Sequence, residues 1–241
     1  MPEITYLPPG SSTQRGGLNH QAIEDYLKTI YMLAEDESPV STSRIAAARN
    51  VKPASVTGML QRLEQLQLVN YEKHYGVTLT ETGDKIALEV IRHHRLIELY
   101  LIEALGFSWD EVHEQSDILE HVISEKLEER IAAALGYPTL DPHGDPIPNK
   151  EGEIVQANLR PLTSLTPKQV ARVGRILQDD NSEQLRYLAD LGLTPGAEIE
   201  LIAAEPIDGL ITFRLHGEER EISYNAAAVV LVDLFDSHSE H

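Results

Sequence analysis

Apolar residues recur at helical spacing early in the chain. Ile23, Tyr26, Leu27, Ile30, Tyr31 and Leu33 share one face of a predicted helix, and Asn19 stands where an N-cap is expected. A short helix is predicted over 42–49, with Ile45 and Ala46 turned inward. Pro53 sits where a first helical turn tolerates proline, and Val56, Met59, Leu60, Leu63 and Leu66 give the following helix one apolar face. Two short extended runs, 68–71 and 77–80, flank Lys73-His74-Tyr75-Gly76 and predict a hairpin. Helix, short helix, turn, helix, hairpin is the order of a winged helix-turn-helix. In that unit the helix after the turn enters a major groove.

The pattern then changes. A long helix is predicted from Thr80 or Glu81 to about Ala104, closed by Gly106. Another is predicted from Ser108 or Asp110 to Leu135, closed by Gly136-Tyr137-Pro138. Ile86, Leu88, Val90, Ile91, Leu96, Ile97, Leu99 and Leu101 occupy more than one stripe. That predicts burial against a neighbouring helix and against a second subunit. Residues 138–157 hold four prolines and read as a loop. Beyond Leu159 come short β-like runs at 169–176, 198–203, 209–215, 221–224 and 229–232, punctuated by Gly192 and Pro195-Gly196. They predict a small all-β barrel. The resulting division is a flexible arm at 1–18, a DNA-reading unit at 19–81, a helical unit at 82–150, a linker at 151–158 and a barrel at 159–235.

Composition narrows the function. The 241 residues fit two or three domains, and no apolar run is long enough to span a membrane. The start of the chain lacks a basic segment followed by an apolar one, so a cytoplasmic location is expected. With no cysteine, disulfides and thiolate-bound metal are excluded. The net charge of −19 at first argues against a DNA partner. Its distribution reverses that. Residues 1–80 hold seven Lys/Arg against eight Asp/Glu, whereas 81–241 hold 13 against 31. Phosphate contact needs local positive potential, which the first part can supply.

The acidic part carries the candidate chemistry. Five of the ten histidines, His93, His94, His113, His121 and His143, lie between 93 and 143. Asp117, Glu120 and His121 stand at i, i+3 and i+4 and so share one helix face, with His113 one turn before Asp117, and His94 and Glu98 are i, i+4 on the preceding helix. Oxygen and nitrogen donors of this kind suit manganese, iron(II), zinc or cobalt. The same spacing also describes an ordinary solvated face.

Several segments together carry a resemblance. They are Ile23-Glu24-Asp25-Tyr26-Leu27-Lys28-Thr29-Ile30-Tyr31, Pro53-Ala54-Ser55-Val56-Thr57, Leu79-Thr80-Glu81-Thr82-Gly83, His94-Arg95-Leu96-Ile97-Glu98, Leu119-Glu120-His121-Val122-Ile123-Ser124 and Pro142-His143-Gly144-Asp145-Pro146-Ile147-Pro148. In order and spacing they resemble the diphtheria toxin repressor family, in particular its manganese-responsive branch. The segment around Leu191-Gly192-Leu193-Thr194-Pro195-Gly196 is similar to the SH3-like barrel of small ferrous-iron-transport accessory proteins. The resemblance implies a mainly α protein, a winged helix-turn-helix plus a helical dimerisation domain, followed by a small all-β SH3-like barrel.

It further implies an activating site of Asp25, Asp117, Glu120 and His121. An ancillary site would use Glu98, Asp141, His143 and a third-domain ligand near Asp179; His94 and His113 match ancillary ligands of the iron-type members and are left unassigned between the two sites. Iron-type members carry methionine and cysteine where Asp25 and Asp117 stand. Carboxylates favour a harder ion, so Mn²⁺ is expected ahead of Fe²⁺, with Zn²⁺, Co²⁺ or Cd²⁺ able to bind in vitro. Lys28 stands where bacillary manganese-type members have a glutamate. The expected partners are double-stranded DNA with a palindromic operator and a second copy of the chain. Neither a membrane nor a small-molecule substrate is implied, and the protein is expected not to be an enzyme. DNA contact is expected from Lys52, Pro53, Ser55, Thr57, Gly58 and Arg62 of the recognition helix, with Arg44, Lys73 and His74 as further phosphate contacts.

Overall fold

The computed structural model describes residues 20–177, 181–205 and 209–234. The expected arm, the Asn19 cap and Asp179 lie outside the described residues. The chain divides into two compact units, residues up to 91 with 120–124, and residues 92–119 with 125 onward.

The first unit holds helices α1 (His20–Ala34), α2 (Thr42–Ala48) and α3 (Pro53–Gln65), strands β1 (Val69–Glu72) and β2 (Gly76–Leu79), and the start of α4 (Glu81–Leu105). Ser41 caps α2 by accepting the Arg44 N–H at 3.3 Å. The turn into α3 passes through Asn50 at φ 49°, a backbone region asparagine tolerates. Strands β1 and β2 pair antiparallel from Val69 opposite Leu79 to Glu72 opposite Gly76. Leu27, Ile30, Ile45, Val56, Leu60 and Leu63 are fully buried. Burying Val56, Leu60 and Leu63 fixes the rotation of α3 and leaves Ser55 and Gly58 exposed.

The second unit continues α4 and adds α5 (Val112–Leu119) and α6 (Glu125–Ala134). The single helix predicted up to Leu135 is therefore two. A six-stranded antiparallel sheet follows, in the order β3 (Arg160–Pro161), β8 (Val230–Leu234), β4 (Val170–Ile176), β5 (Glu198–Glu205), β6 (Leu210–Leu215) and β7 (Glu218–Ser223). Phe213, Leu162, Ile176, Leu185, Leu188 and Leu193 fill its core. Two of these, Leu185 and Leu188, come from α7 (Ser182–Asp190), a helix the β-like pattern did not predict. A last short helix, α8 (Tyr224–Ala227), precedes β8. No described helix is long and apolar enough to cross a membrane.

The segment before the sheet is more ordered than a linker. Asp141, His143 and Asp145 are buried, and the His143 backbone carbonyl accepts the Ile176 N–H at 2.8 Å. Asp145 pairs with Arg175 of β4. Gly144 has φ 86°, and a Cβ there would collide with the Gly174 carbonyl, so only glycine lets the two backbones meet this closely.

Candidate metal centres

Two sets of donors are built by different local structures. In the first unit, Asp25 lies on α1, and Glu120 and His121 follow the end of α5. One donor atom from each lies within 4.8 Å of the others. His121 Nε2 is 3.0 Å from Asp25 Oδ1 and 3.4 Å from Glu120 Oε1. His121 Nε2 thus neighbours one oxygen of each carboxylate. The opposite side of each ligand is held by a further residue. Glu24 Oε2 lies 2.7 Å from His121 Nδ1. Arg49 Nη2 donates to Asp25 Oδ2 at 2.8 Å, and Lys28 Nζ donates to Glu120 Oε2 at 2.7 Å.

The electrostatics follow from this arrangement. Burial works against charge on His121, but hydrogen bonds to Asp25 and Glu24 and the Glu120 charge outweigh it, pushing the imidazole up to about 9. Burial likewise opposes ionisation of Asp25. Its bonds to His121 and Arg49 win and hold the carboxyl below its usual range. The carboxylates are thus compensated from within rather than left to repel one another.

In the second unit Glu98 is the hub. Its Oε1 is 2.9 Å from His94 Nε2 and 3.3 Å from His113 Nδ1, and its Oε2 faces His143 Nδ1 at 3.7 Å. The expected pairing of His94 with Glu98 one turn apart on α4 is present. Asp117, expected beside Glu120 and His121 on one helix face, is grouped instead with His94 and His113. Its oxygens are 3.4 Å from His94 Nδ1 and 3.7 Å from His113 Nε2. The reason is the end of α5 at Leu119, which removes the helical register linking Asp117 to Glu120.

Glu98, Asp141 and His143 form a fully buried trio. Asp141 Oδ1 accepts the N–H groups of His143 and Asp145 at 2.8 and 2.9 Å, which closes the turn its sequence predicts. Among the described residues, Asp141 Oδ2 and Glu98 Oε2 have no hydrogen-bond partner. His143 Nε2 is 3.2 Å from the Trp109 carbonyl, which only accepts, so the proton sits on Nε2 and Nδ1 turns toward Glu98. Burial, with the neighbouring charges of Asp145 and Glu98, pushes the Asp141 carboxyl well up. Burial also works to raise Glu98, but the surrounding imidazoles hold it well below its usual range. Arg95 Nε stands 3.7 Å from Asp141 Oδ2, too far for a hydrogen bond, and buried carboxylate oxygens left without a hydrogen bond beside an imidazole nitrogen are surroundings a divalent cation relieves. The donors fit a hard or borderline ion.

Of the residues expected to contact DNA, Lys52, Pro53, Ser55 and Gly58 are exposed, Thr57 donates to the Pro53 carbonyl at 3.2 Å, and Arg62 lies in the last turn of α3. Lys73 and His74 are exposed at the hairpin turn. Arg44 pairs with Asp36 and Glu37 at 3.0 and 3.4 Å. Sequence reasoning missed Glu24, Arg49 and Trp109, and also Arg95, whose Nη2 donates to Asp145 Oδ1 at 3.0 Å. Glu24 had a signal, an acidic neighbour beside a candidate ligand. Arg49 had none.

A helix-turn-helix followed by buried carboxylate–imidazole clusters defines a metal-responsive DNA-binding protein. Residues 20–77 match the N-terminal DNA-binding domain of the iron-dependent repressors, and residues 80–149 match their metal-binding and dimerisation domain. Residues 160–234 match the FeoA domain. The chain is 34% identical to the iron-dependent repressor IdeR of Mycobacterium tuberculosis over 187 residues, 73% of this chain and 81% of that protein. It is 27% identical to the diphtheria toxin repressor of Corynebacterium diphtheriae, covering 87% and 96% of the two chains. A solved manganese-dependent transcriptional repressor in complex with manganese superposes with a TM-score of 0.80 at 33% identity, covering 88% of this chain and all (100%) of that one. The chain belongs to the iron-dependent, or diphtheria toxin, repressor family. It is a metal-dependent DNA-binding transcriptional repressor with a C-terminal SH3-like domain.

Proposed function

We propose that this repressor is activated by Mn²⁺ in preference to Fe²⁺ and controls genes of metal-ion uptake from the cytoplasm. The observation that carries the reading is the convergence of Asp25, Glu120 and His121 donor atoms within 4.8 Å. That set is two carboxylates and one imidazole without sulfur, which favours a harder ion than a site containing thiolate or thioether would. The solved manganese-dependent relative points the same way. A bound cation would supply a cross-link between α1 and the segment after α5. Asp25 and Glu120 each turn one oxygen to the shared point, while Glu24 fixes the ring of His121. Asp117 joins this site or serves with His94 and His113. Glu98, Asp141 and His143 form a second centre, with Asp179 as its expected third-domain ligand.

The output is the posture of α3. Lys52, Arg62, Arg44, Lys73 and His74 meet phosphate, and Ser55, Thr57 and Pro53 approach base edges. Gly58 lets α3 come close to the backbone of the duplex. Two copies of the chain present two such helices to a palindromic operator. The test is a gel shift against the protein's own promoter with Mn²⁺, Fe²⁺, Zn²⁺ or chelator. Retardation strongest with Mn²⁺ is expected. Equal retardation in chelator refutes metal activation, and stronger retardation with Fe²⁺ refutes the preference.

A further inference from the structure

We propose that Arg49 and Lys28 are built-in counter-ions of the first donor set, holding Asp25 and Glu120 in place without metal and lowering the affinity for the cation that enters. The inference rests on the reading of Asp25, Glu120 and His121 as a metal site. Each contact is made on the carboxylate oxygen other than the one nearest His121 Nε2. Arg49 takes Asp25 Oδ2, and Lys28 takes Glu120 Oε2. The entry position beside Asp25 Oδ1, Glu120 Oε1 and His121 Nε2 is therefore shaped before any ion arrives. Neither cation is a loose surface charge. The Lys28 side chain is 14% exposed and that of Glu120 1%. The Arg49 guanidinium also lies over the Tyr26 ring, 5.3 Å from its centre.

Two opposing effects follow from charge. A cation on each carboxylate removes the repulsion that would drive the pair apart, so the metal-free site stays assembled. The same cations repel an incoming divalent ion; water screens Lys28, 14% exposed, less than Arg49, 29% exposed. The site is thereby tuned to respond at a higher metal concentration than its donors alone would set. Arg49 adds a mechanical link. It is the C-cap of α2, its N–H bonded to the Ile45 and Ala47 carbonyls, and the chain turns directly from it through Asn50 into α3. A change in the Asp25–Arg49 contact is felt at the root of the recognition helix.

The test is calorimetric titration of the full-length, metal-stripped protein with Mn²⁺, following the binding component that Asp25→Asn removes. Arg49→Leu and Lys28→Gln are each expected to tighten that component by about tenfold, the scale of losing one partly buried like charge. Thermal melts give a second readout. Both variants should melt earlier in chelator yet gain more from Mn²⁺ than the wild type does, because tighter binding to the native state stabilises more. Loss of a merely structural contact lowers the melt without enlarging that gain. Unchanged or weaker Mn²⁺ binding in the two variants overturns the proposal. If Asp25→Asn removes no component, the metal-site reading itself fails, a different result from an Asp25→Asn loss without tightening in the other two.

Discussion

Glu24 Oε2 and His121 Nδ1 lie 2.7 Å apart, and this one contact sets which ring nitrogen His121 turns toward Asp25 and Glu120. A carboxylate on the far nitrogen of a ligating imidazole fixes its orientation and raises its basicity. Replacing Glu24 with glutamine keeps the size and removes the charge. Mn²⁺ affinity at this site should fall by about 10- to 100-fold in Glu24→Gln. Calorimetry or a competition assay with a metallochromic chelator measures it, and unchanged affinity would place the ring under other control.

Gly58 sets stability against function. It sits inside α3, exposed, where glycine costs about 1 kcal/mol relative to alanine. Among the described residues nothing lies within 4 Å of the position a Cβ would take, so packing within the chain does not require it. Gly58→Ala should therefore raise the unfolding free energy by about 0.5–1 kcal/mol. The same variant should weaken operator binding in the presence of Mn²⁺. Denaturant unfolding and a gel shift on one preparation decide both halves. Stabilisation without loss of DNA binding would remove Gly58 from the interface.

What could be read in advance has a physical pattern. Spacing rules hold within a continuous element, so Val56, Leu60 and Leu63 revealed the inward face of α3, and His94 with Glu98 appeared as a pair on α4. The barrel strands showed as short apolar runs for the same reason. The failures lie where an element stops. No glycine or proline marks 120–124, and the helical register was carried across it, which placed Asp117 with Glu120 and His121. Ser124 ahead of Glu125 was the available start signal. Asn181, whose side chain accepts the Gln184 N–H at 3.1 Å, was the corresponding signal for α7. Arg49 is unreadable as a site residue because its partner lies 24 positions away; Lys28 is placed near the site by the resemblance alone, and its partner, 92 positions away, is not legible.

Trp109 offers a reporter for the second donor set. It is the chain's only tryptophan, its ring centre 5.2 Å from that of His143, and its indole N–H donates to the Pro142 carbonyl at 3.0 Å. Mn²⁺ is paramagnetic and quenches fluorescence at such range. Adding Mn²⁺ should quench Trp109 emission saturably in the wild type and in Asp25→Asn. The quenching should be lost in a Glu98→Gln, His143→Ala double variant. Quenching that survives in the double variant would show that Glu98, Asp141 and His143 are not the site observed.

Acid stability should depend on Glu128. Its carboxylate is 2.6 Å from Arg92 Nε and 3.4 Å from His93 Nε2, and all three side chains are buried. The neighbouring His93 imidazole outweighs burial and, with Arg92, pulls the carboxyl from 4.5 to about 2. A group whose folded value lies below its unfolded one stabilises the protein above the unfolded value. That stabilisation drains away as pH falls through the folded value. The window is therefore pH 4.5 down to about 2. At pH 7 Glu128→Gln should cost about 3–5 kcal/mol, because Arg92 is left buried without its counter-charge. The gap between variant and wild type should narrow steadily across the window as the wild-type carboxylate takes up its proton. Denaturant unfolding at pH 7, 5, 4 and 3 traces it. A gap that stays constant to pH 3 would mean the contact is packing rather than charge.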